Sequence, residues 1–230
     1  MSPFDSVTSQ ARDLLTLRDG AVADPWLWEH SERVLRLARL LSKAPEAAED
    51  PPDETVVALA ALFHDAGWAV QVREGQITRW QILSRPTNEL QRELGAGQLQ
   101  EIAGGVLPDQ QVEMAADAIR QCNDRYTSLS AARVLAEATS LDEIGLAYVL
   151  RHLRQYQAEG RSVDQLLAGW KRQLEYDFWE ARINDCLAFD ISRGIARTRL
   201  ESVRAFMAAL ERDRGAVDLI DGLRALGVEA

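Results

Sequence analysis

The chain has 230 residues, a formal net charge of -10 at pH 7 and two cysteines. That length supports one sizeable core, and the acidic balance argues against nucleic acid as a partner while leaving room for a local basic patch that holds a small phosphorylated molecule. Cys122 and Cys186 lie far apart and outside any CxxC spacing, which excludes a disulfide framework and a zinc motif.

The first thirty residues carry early acidic groups and no continuous apolar stretch, so neither a signal peptide nor a membrane span is expected and the setting is predicted to be cytoplasmic. Leu, Ala, Glu, Arg and Gln dominate, and long segments keep apolar residues at helical spacing, which predicts an all-α fold of seven or eight helices. An opening helix over about residues 6 to 18 is broken by Gly20 to Pro25. A second helix runs from about 25 to 43, and in it Leu27, His30, Val34, Leu37 and Leu41 recur at steps of three and four, so His30 lies on the apolar stripe.

Asp53 is placed to cap a third helix, ETVVALAALFHDAG, whose centre is apolar all round and is therefore expected to be surrounded by protein, with Gly67 as its end. Residues 69 to 80 alternate about Glu74 and Gly75, a weak turn signal, and allow one short β-hairpin with Val72 opposite Ile77. Pro86 and Pro108 open helices to about 103 and 122, the second with Val112, Ala115, Ile119 and Cys122 on one face. One long helix follows from near Ala131 past His152, then two more after Gly160 and a short one at the C-terminus. The expected organisation is an N-terminal helix over 1 to 21, a helical core over 22 to 160, and C-terminal helices over 161 to 230 packed on that core. No pattern in the sequence speaks to an oligomeric state.

Only three histidines are present, and one of them, His64, stands beside Asp65 where a buried helix stops. His30 and His64 occupy buried faces of separate helices. Two imidazoles with the Asp65 carboxylate form a mixed nitrogen and oxygen set suited to one borderline divalent ion such as manganese, iron, cobalt, nickel or zinc. Adjacent helical residues point about 100° apart, so His64 and Asp65 converge on one ion only from either side of it, most easily at a helix end. His152, among the charges of LRHLRQYQ, is expected to stand apart.

WEHSERVLRLARLL and ALFHDAG together resemble the HD superfamily of metal-dependent phosphohydrolases, whose pattern is a His on one helix, a His-Asp pair ending a later one, and a distant Asp on a third. The resemblance covers residues 22 to 150, and more loosely GIARTRLESVRAFMAAL. It implies His30, His64 and Asp65 as metal ligands and hydrolysis of a small phosphomonoester or nucleotide, the ion polarising a phosphate oxygen and activating water. Asp65 is implied to hold that water while ligating. Arg33, one turn after His30, is expected to reach the phosphate as a fork of donors. The scarcity of histidine argues against the dinuclear oxygenase and cyclic-dinucleotide branches.

The third element departs from the bacterial branch that the chain most resembles, because EATSLDEIG puts Thr139 where that branch has its ligand Asp. Asp142, three residues on, returns to within about 60° of that direction and is the expected substitute ligand, whereas Glu137 points away. Asp142 also has a second reading as a partner for an arginine. Alternatively three protein ligands suffice, with Thr139 holding a bound water, or no metal binds and the chain is a ligand- or protein-binding module that has lost it. Cys122, near where relatives place a His, is expected to be core. Arg193, Arg197 and Arg199 are expected to be solvated rather than ligand-binding.

Overall fold

The computed structural model describes residues 2–228, so residues 1, 229 and 230 of the expected terminal segments lie outside the described residues. Helices α1 (Pro3–Leu15) and α2 (Trp26–Leu41) flank a two-stranded antiparallel hairpin, β1 (Leu17–Asp19) and β2 (Val22–Asp24). Then come α3 (Glu54–Phe63), α4 (Ala66–Arg73), α5 (Glu89–Ala103), α6 (Asp109–Gln121) and α7 (Ser130–Asp142). The C-terminal part is α8 (Leu146–Ala158), α9 (Val163–Glu175), α10 (Phe178–Cys186), α11 (Asp190–Arg214) and α12 (Val217–Ala225). The fold is all-α apart from the hairpin.

α3 is the central rod. Asp53 caps it by accepting from the Thr55 and Val56 amides at 2.8 and 3.0 Å, and every residue from Val56 to Phe63 is buried, packed against α2, α5, α6 and α7. Each fully buried Val, Leu or Phe side chain there contributes about 1.5–3 kcal/mol, so an apolar helix with no polar face is stable only in this central position. A second apolar cluster, with Ile144, Trp170, Trp179, Ile183 and Leu200, unites α8 to α11. Among the described residues one stretch, Glu54–Arg73, is long and apolar enough to cross a membrane, and most of it is buried within the fold.

Several expectations are corrected. The hairpin lies at Leu17–Asp24, not within residues 69 to 80, which hold α4 and its C-terminal turn. Asp19-Gly20 is the stronger hairpin dipeptide and Gly20 adopts φ +58°, while Glu74 and Gly75 end a helix. The third helix stops at Phe63, and Gly67 lies inside α4. The long helix from Ala131 breaks at Gly145, whose φ of +133° suits glycine alone, and the helix after Gly160 breaks at Asp177.

Candidate metal centre

His30 projects from the buried stripe of α2. His64 and Asp65 are the two residues between α3 and α4: His64 keeps helical dihedrals, and Asp65 departs from them with φ -111° and ψ 11°. That departure turns the carboxylate toward the same point as the preceding imidazole. The three side chains, all buried, form a nearly equilateral triangle. His30 Nε2 lies 3.1 Å from His64 Nε2 and 3.1 Å from Asp65 Oδ2, and His64 Nε2 lies 3.2 Å from the same oxygen.

The outer partners fix which ring nitrogens carry hydrogen. His64 Nδ1 faces the Ala61 carbonyl at 2.8 Å, which only accepts, so Nδ1–H donates and Nε2 presents a lone pair. His30 Nδ1 likewise donates to Asp142 Oδ2 at 2.8 Å. Three acceptors therefore face one another inside the protein with no donor among them, an arrangement that calls for a cation or a proton. Burial lowers the affinity of His30 for a second proton, but its contacts with Asp142 and Asp65 outweigh burial and hold its pKa above the usual value. Against its own burial, Asp65 is held well below the carboxylate range, first by His64 and then by His30.

The spacing also fits a metal. Two adjacent ligands about 2.1 Å from one ion stand about 3 Å apart, which matches the edges of this triangle. Nitrogen and carboxylate donors on an open face suit a borderline divalent ion.

Asp142 and Arg33 are corrected. Asp142 stands on the far side of the His30 ring, where it accepts from Arg33 Nε at 2.8 Å and Nη2 at 3.2 Å. It is an orienting partner of His30, the type of contact that sets tautomer and basicity in metal sites, and not a member of the triangle. Its carboxyl is depressed: burial raises it, but the contacts with His30 and Arg33 prevail. Arg33 is committed to that carboxylate and does not line the cavity beside the triangle.

That cavity, of about 720 Å³, is bounded by His30, His64 and Asp65, by the loop after α6, by one face of α7 and by the segment from Arg182 to Arg193. Thr139 lines it and donates its hydroxyl to the Ala136 carbonyl at 3.0 Å. Glu137, expected to point away, faces the same cavity, but its carboxylate accepts the Ala188 and Phe189 amides and so fastens the wall formed by the C-terminal helices. Cys122 packs against the core and also lines the cavity, its thiol pushed up to about 12 by burial. The three expected arginines separate: Arg193 lines the cavity while paired with Asp190, Arg197 bonds Glu180 and Asn184, and Arg199 lies against Gly145. His152 is remote, stacked near Tyr148.

Sequence reasoning did not reach Thr87, whose hydroxyl donates to Asp65 Oδ1 at 2.5 Å, nor Arg125 and Arg133 on the cavity wall. Arg133, Ala136, Glu137 and Ser140 fall at helical spacing on one face of α7, a legible signal; Thr87 leaves none.

The HD domain model matches residues 27–157. No curated protein matches the sequence. Among solved structures, Bacillus subtilis YpgQ is similar over 92% of this chain and 95% of its own, with 19% identity and a TM-score of 0.60. The same protein in complex with ADP aligns over 92% and 94%, with 20% identity and a TM-score of 0.59. A structure described as a predicted HD superfamily hydrolase from an uncultured Thermotogales bacterium aligns over 92% and 93%, with 17% identity and a TM-score of 0.55.

Proposed function

The chain belongs to the HD domain family, and from that premise we propose that it is a metal-dependent phosphohydrolase acting on a small phosphate ester, with a nucleotide as the favoured form. The observation that carries this reading is the triangle of three facing acceptors at 3.1–3.2 Å, with both imidazoles held in the ligating tautomer. His30, His64 and Asp65 are the ligands in this proposal. They would hold a divalent ion, and the chemistry it would supply there is polarisation of a phosphate oxygen and activation of water. A nucleotide is favoured because the similar YpgQ was solved with ADP and because the cavity volume accommodates a ligand of that size.

The chain's own residues supply orientation and anion binding. Asp142 and the Ala61 carbonyl hold the two Nδ1–H groups, and so aim both Nε2 lone pairs inward. Arg133 and Arg125 line the same cavity without an ion pair among the described residues, leaving their donors free for phosphate oxygens. Arg133→Ala is therefore expected to raise KM about tenfold with kcat little changed, the loss of one charge-assisted hydrogen bond. Steady-state kinetics on the best substrate checks this.

The test of the reading is elemental analysis of protein purified without chelator, followed by assay of phosphomonoesters and nucleotides with added manganese, cobalt, nickel or magnesium. Hydrolysis no faster than the blank with all four would end it.

A second reading, a binding module without metal, is favoured by one observation: Thr139 offers a hydroxyl already committed to Ala136, and among the described residues no further His, Cys, Asp or Glu joins the triangle. Thr139→Asp decides how much this matters. If Thr139 occupies the family's ligand position, the variant binds Mn²⁺ at least about tenfold more tightly, as read by calorimetric titration; unchanged affinity would mean that α7 is aligned to the family wrongly.

A further inference from the structure

We infer that Thr87 is a positioning residue of the metal centre: its hydroxyl, set by the indole of Trp68, locks the Asp65 carboxylate with Oδ2 toward the two imidazoles. This rests on the metal-dependent reading above. An aspartate carboxylate turns easily about its last torsion, and Asp65 makes no capping bond to the start of α4, so its own backbone does not fix it. With neither an ion nor a proton between them, Oδ2 meets two lone pairs and is repelled. Something else must hold it there.

Thr87 does so from the loop between α4 and α5. Its Oγ1 lies 2.5 Å from Asp65 Oδ1, a length typical of a hydroxyl donating to a charged oxygen. Trp68 Nε1 lies 3.0 Å from the same Oγ1, and an indole nitrogen only donates. The threonine hydroxyl must accept from Trp68, which leaves its single hydrogen for Asp65. Trp68 is itself buried, and the Thr87 carbonyl is tied by Arg92 Nη1 at 2.8 Å, so the donor is anchored at both ends.

Mn²⁺ titration of the full chain tests this, on the parent, Thr87→Val, Thr87→Ser and Trp68→Phe. Outer partners of metal ligands change affinity about 10- to 100-fold. Thr87→Val, which keeps the shape and removes the hydroxyl, is expected to weaken Mn²⁺ binding at least about tenfold. Thr87→Ser is expected to stay within about threefold, and Trp68→Phe to fall between them. Thermal melts identify any variant that does not fold, and Thr87→Ala replaces Thr87→Val in that event. Equal affinity of the parent and the hydroxyl-free variant overturns the inference and leaves the metal reading intact, as does a serine variant as weak as the valine. A parent that takes up no Mn²⁺ overturns both.

Discussion

Asp65→Asn is expected to yield a folded protein that no longer takes up metal. The parent carboxylate presents Oδ2 to two nitrogen lone pairs at 3.1 and 3.2 Å. An amide of the same shape keeps an oxygen for the Thr87 hydroxyl and turns its NH₂ group toward those lone pairs, so that two hydrogens fill the place of a cation. The repulsion that calls for an ion is thereby relieved from within, and the one anionic ligand is gone. Mn²⁺ affinity should fall by about 10³-fold, and hydrolysis by a similar factor, since metal assistance to the transition state is worth several kcal/mol. The melting temperature should equal or exceed that of the metal-free parent at pH 8. An Asp65→Asn protein that retains stoichiometric manganese, or hydrolyses as fast as the parent, would refute both the ligand assignment and the proposed mechanism. His64→Ala should lose metal too, but with destabilisation, because it opens a cavity at a buried position.

Gly67→Ala is expected to have the largest effect on stability. A Cβ built at Gly67 falls 2.0 Å from the Gln91 carbonyl oxygen, with the Gln91 C and Cα atoms at 2.7 and 2.8 Å. All three are backbone, so no side-chain rotation relieves the clash, and α4 and α5 must separate. α5 cannot move freely, because a Cβ at Gly95 would meet the Phe63 carbonyl at 2.7 Å on the other side of the same crossing, and Gln91 Nε2 is bonded to buried Gln71 at 2.9 Å. The cost is at least about 3 kcal/mol, a large share of the stability of an ordinary domain. Chemical denaturation reads it as a lower midpoint. Because the crossing lies directly behind His64 and Asp65, metal affinity should fall in any fraction that folds. A midpoint within experimental error of the parent would show that the helices separate at little cost.

The metal-ligand candidates were legible because each rests on a local signal. His30 belongs to the buried stripe of α2, and the His64-Asp65 pair closes a wholly apolar run. The break between α3 and α4 was not legible: Gly67 reads as a terminator, whereas its absent side chain serves a contact with Gln91, 24 positions away, that only the packed structure contains. Helical spacing misleads at Asp142 and Glu137: Asp142, expected beside Thr139, stands behind His30 and outside the cavity, whereas Glu137, expected to point away, lines it with Thr139, since spacing around one axis does not say how a neighbouring helix sits against it. Thr87 reaches Asp65 from a loop, and Glu137 reaches Ala188 and Phe189 across three intervening helices, α8 to α10; neither contact has a periodicity to betray it. The hairpin falls outside 69 to 80 because the apolar alternation there belongs to the end of α4 and the turn after it, while the Gly20 to Pro25 stretch, read only as a helix break, holds the turn and second strand.

The tie between Arg33 and Asp142 has an electrostatic consequence. Their charges cancel behind His30, and a ligating imidazole is neutral, so Asp65 alone supplies anionic character to the coordinating atoms. A dication lodged there keeps a surplus of one positive charge. Such a centre, once loaded as proposed, would surrender its ion to chelators more readily than one ringed by several carboxylates, while exerting a stronger pull on negatively charged solutes: loose custody of the metal and an open invitation to phosphate would arise from the same imbalance.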